Sequence, residues 1–170
     1  MSETKARKRA QRVALCGILL ALMLVLGFVE SMIPVTVTIP GIKLGLSNGV
    51  LIFAVYMLNI PIAFLLMLLK VTLASMLYAG FGAFPYALAG GVLSLAAMAL
   101  SSRVKGLHPV TVSMVGGVMH NVGQVAMAML MLNTSRLMYY MAILMLVGLA
   151  TGALTGICAH QVMKHLKHMR

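Results

Sequence analysis

Between Val13 and Val29 the chain carries no charged side chain, and the pattern recurs along its length: apolar runs broken only by glycine, proline or a short polar turn. A water-soluble domain needs far more charge at its surface than the 9% found here, set against 62% hydrophobic residues. The runs match a bilayer as solvent, and the fold class they predict is an all-α integral membrane protein. A spanning helix takes about 20 apolar residues. Punctuation by Pro, Gly and charge yields six candidate spans, residues 12–33, 44–58, 60–78, 84–101, 110–132 and 138–161. The second is short for a span. Asn59-Ile60-Pro61 reads as a tight turn that places Pro61 in the tolerated first turn of the third helix.

The net charge of +11 fixes an orientation rather than a nucleic-acid site. Lys5, Arg7, Lys8, Arg9 and Arg12 precede the first span, and Lys164, Lys167 and Arg170 close the chain. Basic residues that flank spans report topology, and no basic face interleaved with aromatics is visible. Two basic termini on the cytoplasmic side require an even number of spans. Six spans then put Arg103 and Lys105 of "SSRVKGLHP" on that side too, leaving Lys43 and Arg136 outside. The expected organisation is a basic cytoplasmic segment (1–12), a single six-helix membrane domain (13–161) and a basic cytoplasmic tail (162–170). No small-x-small cleavage pattern follows the first apolar run before Glu30, so it is read as an uncleaved span.

Polar groups within the spans carry the functional information, because each costs several kcal/mol unless it is paired or hydrated. They are Glu30, Lys70 and His120, with the neutral Asn48, Asn121 and Gln124, and Lys43 at the entrance to the second span. At about 1.5 Å rise per residue, Lys70 and His120 reach the middle of the hydrocarbon core. Gln124 lies one turn from His120 on the same face. Glu30, Lys43 and Asn48 belong near the outer surface. The set describes a pocket open to the outside and sealed below. Two lysines and a histidine against one carboxylate favour an anionic or carbonyl-rich small molecule. Glu30 is expected to pair with Lys43 or Lys70, or to touch the ligand. The connection at 31–42, with Pro34 and Pro40, suits an extended loop folded back over the bundle.

Small residues form a second pattern. Gly148, Gly152 and Gly156 fall at i, i+4 and i+8, as expected where helices of one bundle pack closely. Ala10/Ala14 and Gly17/Ala21 on the first helix are spaced alike, and Ala10 and Ala14, which bracket the cytoplasmic surface, offer a docking face to another protein. The 17 methionines read as flexible apolar filler. His160, His165 and His168 belong to an amphipathic basic end rather than a metal site. Tyr78, Phe81, Phe84 and Tyr86 read as an interfacial aromatic belt, with stacking on a planar ligand as the alternative.

Catalysis finds little support. Phosphoryl or prenyl transfer wants several carboxylates to hold magnesium, whereas the chain has Glu3 and Glu30 alone. No phosphate-cradling glycine loop, dinucleotide fingerprint or nucleophile elbow is present, and no cofactor or metal is implied.

The segments "ALCGILLALMLVLGFVESMIP", "PGIKLGLSNGVLIFAVYMLN", "GGVLSLAAMAL" and "GGVMHNVGQVAMA" resemble the bacterial Gx transporter family, also labelled heptaprenyl diphosphate synthase component I. That family is similar to the substrate-binding (S) components of energy-coupling factor (ECF) importers. The likeness spans residues 13–161. It implies a six-helix bundle in a bacterial cytoplasmic membrane that captures a vitamin- or cofactor-like solute from outside. Such components work with a transmembrane coupling protein and two cytosolic ATPases. The resemblance assigns Ala10, Ala14, Gly17 and Ala21 to the coupling-protein contact and 31–42 to the gate. The synthase label has no counterpart in the residues, which contain no aspartate-rich motif. The competing reading is a non-transport membrane subunit of an isoprenoid, quinone or flavin-linked redox assembly.

Overall fold

A computed structural model describes residues 2–32, 43 and 45–168. Most of the expected gate, from residue 33 to 42, lies outside the described residues. Within them the chain forms helices α1 (Ser2–Ser31), α2 (Asn48–Met57), α3 (Ile60–Ala74), α4 (Phe84–Ser101), α5 (Pro109–Met131) and α6 (Met138–His168). Among the described residues no strand occurs, and five of the helices are long and apolar enough to cross a membrane. The chain is a multi-pass, all-helical membrane protein.

Helix starts follow local chemistry. Asn59 caps α3 by accepting from the Ile62 N–H at 2.9 Å, and Pro61 occupies the first turn, where its missing N–H costs nothing. His108 caps α5 in the same manner, its Nδ1 accepting from the Val110 N–H at 3.3 Å ahead of Pro109. The α3 rod widens into a π-helical turn at Ser75–Ala79, and Gly80, at φ 78°, lets the chain reverse into α4. Two helices outrun their expected limits. α1 begins at Ser2 and α6 runs to His168, so the basic flanks continue the helices as solvated turns.

Short connections make α2 to α6 successively antiparallel, and α1 packs on α2 and α3. Leu15 of α1 and Leu166 of α6 line the same groove at one end, as Leu26 and Leu46 do at the other. The start of α1 and the end of α6 therefore share one end of the bundle, together with the α2–α3 and α4–α5 turns. Large apolar side chains such as Val13, Ile18, Leu130 and Leu146 remain exposed around the outside, as a lipid-facing surface requires.

The most extensive contacts join α5 to α6 and α4 to α5, and glycine makes both possible. A Cβ on Gly148 would stand 2.6 Å from the Gly117 carbonyl oxygen, one on Gly152 2.7 Å from that of Ser113, and one on Gly123 2.7 Å from that of Ala89. The glycine stripe of α6 thus packs within the bundle, backbone on backbone.

Candidate functional site

Glu30 ends the face of α1 that also buries Leu19 and Met23, and is itself wholly enclosed. Its Oε1 accepts from the Gly45 N–H, which draws the segment before α2 down onto the end of α1. Lys70 projects from the core face of α3, beside Ala63, Leu66 and Met67. Gly27 makes room for the Tyr78 hydroxyl, which would stand 2.5 Å from a Cβ there, whereas the Lys70 Cε at 3.6 Å would be in ordinary contact. Lys70 is the strongest electrostatic partner of Glu30, with Lys43 a weaker one. Among the described residues, however, neither ammonium comes within 4.0 Å of the carboxylate. Of the two expectations for Glu30, direct pairing with a lysine is not what this conformation holds; a backbone amide holds the carboxylate.

Lys43 answers to different partners. Its backbone N–H donates to Gln124 Oε1 at 3.1 Å, and its Nζ stands 4.9 Å from the centroid of the Tyr78 ring. Burial pushes the Lys43 ammonium below the usual lysine range, and Glu30 opposes that shift. Tyr78 comes from the π-helical turn, packs edge-on to Phe28 at 5.6 Å and donates its hydroxyl to the Leu24 carbonyl at 3.2 Å. One member of the expected aromatic belt is therefore drawn into the site, while Phe81 stays exposed.

Asn48 opens α2, and His120 and Gln124 stand one turn apart on α5; all three are buried. Gly90 of α4 lets α5 approach, because a Cβ there would lie 2.8 Å from both the His120 carbonyl oxygen and Gln124 Cγ. Gly45, at φ 84°, sits between Asn48 Nδ2 and the His120 ring, at 2.8 and 3.0 Å from the place a Cβ would occupy. A Gly45→Ala substitution meets both backbone strain and a polar clash. It should cost about 1–3 kcal/mol, read as a lowered thermal midpoint in detergent; an unchanged midpoint would show that this turn does not pin the segment to the site.

Six of the seven expected binding residues therefore converge on one cluster: Glu30, Lys43, Asn48, Lys70, His120 and Gln124. Asn121 turns away toward α6, where its Nδ2 donates to the Leu144 carbonyl at 2.6 Å. Hydrogen bonding in the cluster is incomplete. Asn48 Nδ2, Gln124 Nε2, His120 Nδ1 and Glu30 Oε2 are buried without partners among the described residues. The space between Asn48, Lys70 and His120 is about 10 Å3, room for one water, so the cluster is shut in this conformation. Ser47 borders that space, and Ser94, one turn beyond Gly90 on α4, is buried with an unpartnered hydroxyl. Neither serine stood out in the sequence. The available signal was Gly90-x-x-x-Ser94, small and polar residues one turn apart on one face.

The other expected surface lies elsewhere. Ala10, Ala14, Gly17 and Ala21 are exposed on a side of α1 turned away from Met23 and Glu30, and a Cβ on Gly17 would meet nothing within 4 Å.

Comparison with known proteins gives one family match. No curated protein and no solved structure matches the chain. The family model described as heptaprenyl diphosphate synthase component I aligns with residues 19–162, which include all of the polar cluster, and the chain belongs to that family.

Proposed function

We propose that this chain is the substrate-binding component of an ECF-type importer in a bacterial cytoplasmic membrane, and that it captures a small polar solute and catalyses no reaction. The observation that supports this most is the buried polar cluster with unpartnered donors at Asn48 and Gln124 beside Lys70. Buried polar atoms without partners are costly, and a ligand that bonds to them recovers that cost. Solute pockets are usually about 300–1,000 Å3, so capture requires the segment around Lys43–Ser47 to swing off Glu30 and Gln124. Substrate would replace the Gly45 and Lys43 amides that now occupy their acceptor oxygens. A single carboxylate at the site is too few for magnesium-diphosphate chemistry, which argues for binding over prenyl transfer.

The exposed small stripe of α1 would receive the transmembrane coupling protein, itself carried by two cytosolic ATPases. Native mass spectrometry of the purified protein should find a retained polar small molecule. Co-purification with coupling and ATPase subunits should be lost in Gly17→Leu while the retained molecule persists. Absence of both ligand and subunits would overturn the reading.

One observation favours a non-transport subunit of a quinone or isoprenoid assembly instead. An apolar groove of about 490 Å3 runs between α1, α2 and α6, past Leu22, Phe53 and Val162. A prenyl lipid as the retained molecule, with a redox partner and no ATPase, would select that alternative.

A further inference from the structure

At the end of the bundle that carries the start of α1, a further cavity of about 420 Å3 opens where α2 and α6 end and α5 begins. Tyr56 and Met57 come from the last turn of α2, Pro109 from the start of α5, and His160, Met163 and Lys164 from the last turns of α6. The His108 ring lies 4.4 Å from that of His160, tilted by 53°, and so stands behind one of the lining residues. Because His108 Nδ1 accepts from the Val110 N–H, its Nε2 is left as the donor. Among the described residues no acidic side chain lines the cleft. Arg103 and Lys105 are exposed on the turn that leads to His108.

We propose that this cleft holds the phosphate headgroup of an anionic phospholipid. The proposal is independent of the solute-binding reading, since it uses none of the residues of the polar cluster. Lys164, His160 and Tyr56 bring an ammonium, an imidazole and a phenol to its lining, each able to donate to phosphate oxygens, and no lining residue carries a carboxylate to compete. Its other side, Met57, Pro109 and Met163, is apolar and fits the glycerol and upper chain of a lipid, which a free phosphate would leave uncovered. The position also fits: basic clefts between spanning helices at the positively charged end are where lipid headgroups collect. Lys164 is exposed and its stem can lie along the helix while the ammonium reaches the headgroup plane.

The test is lipid retention by the full-length protein, measured by native mass spectrometry after exchange into micelles doped with phosphatidylglycerol or phosphatidylcholine. The wild type should keep one phosphatidylglycerol and release phosphatidylcholine. Lys164→Gln should lower retention by about fivefold or more, and the His160→Asn/Lys164→Gln pair further still. Lys105→Gln, a charge at the same end but outside the cleft, should retain lipid like the wild type. Millimolar inorganic phosphate should not displace the bound lipid.

Equal retention of the two lipids by the wild type would overturn the proposal, as would full retention by the paired variant. A loss in Lys105→Gln as large as in Lys164→Gln would replace the cleft by a diffuse basic surface. Displacement by inorganic phosphate would reassign the site to a soluble anion. Should the paired variant lose helix content by circular dichroism, Lys164→Gln alone, at an exposed position, decides the matter.

Discussion

Gly117→Leu is expected to break the bundle, lowering its stability by about 3 kcal/mol or more, at the top of the range for overpacked cores. A side chain at Gly117 points at the backbone of Gly148 and Gly152, and one at Gly148 points back at the carbonyl of Gly117 and the amide of Asn121. Rigid backbone alone faces Gly117, so no side chain can move aside to admit the new atoms. The only relief is separation of α5 from α6, which also pulls Asn121 Nδ2 off the Leu144 carbonyl and shifts His120 one residue away. The same substitution at Gly17, where nothing lies within 4 Å, should instead leave the fold intact. It should even gain up to about 1 kcal/mol from improved helix propensity. Thermal midpoints of both variants in one detergent, followed by circular dichroism, make the comparison. Equal midpoints would mean that the α5–α6 contact does not hold the bundle together.

That contrast also marks what the sequence could reveal. Helix positions were legible because apolar runs, Asn59-Ile60-Pro61 and Pro109 each have a local cause that needs no other part of the chain. The small-residue stripes were legible as stripes. The sequence could not say that α6's glycines face Gly117 and Ser113 while α1's small residues face outward, because periodicity reports the faces of one helix and not which helices meet. The cluster shows the same boundary. Its members were legible from their cost in an apolar run, yet its wiring depends on contacts between residues far apart. Lys43 reaches Gln124, Tyr78 bends back to Leu24 from a π-helical turn with no local warning, and Asn121, adjacent to His120, turns to another helix. Glu30 was expected to pair with Lys43 or Lys70 or to touch the ligand; the Gly45 amide takes one carboxylate oxygen, a bond that no side-chain inventory would list.

The charge relation between Glu30 and Lys70 predicts the second large effect. Lys70→Met removes the main electrostatic partner of a fully buried carboxylate. Deleting one member of a buried ion pair costs about 3–5 kcal/mol, because the other charge is left uncompensated, and with the ammonium beyond 4.0 Å that range is the upper bound here. Lys43 supplies only a weaker interaction, with its ammonium on the Tyr78 ring. Lys70→Met alone should therefore lower the thermal midpoint and lose ligand together, which cannot separate a structural lysine from a binding one. Glu30→Gln/Lys70→Met separates them. The side-chain amide introduced by Glu30→Gln still offers an oxygen to the Gly45 N–H and buries no charge, so the pair should recover most of the stability that Lys70→Met loses. If Lys70 binds solute, the stable double variant should still fail to retain it, and its coupling energy should be visible in stability alone. Recovery of both stability and ligand would make Lys70 a counter-charge for Glu30 and remove it from the solute site; recovery of neither would show that its contribution to the fold is the packing of its buried stem rather than charge.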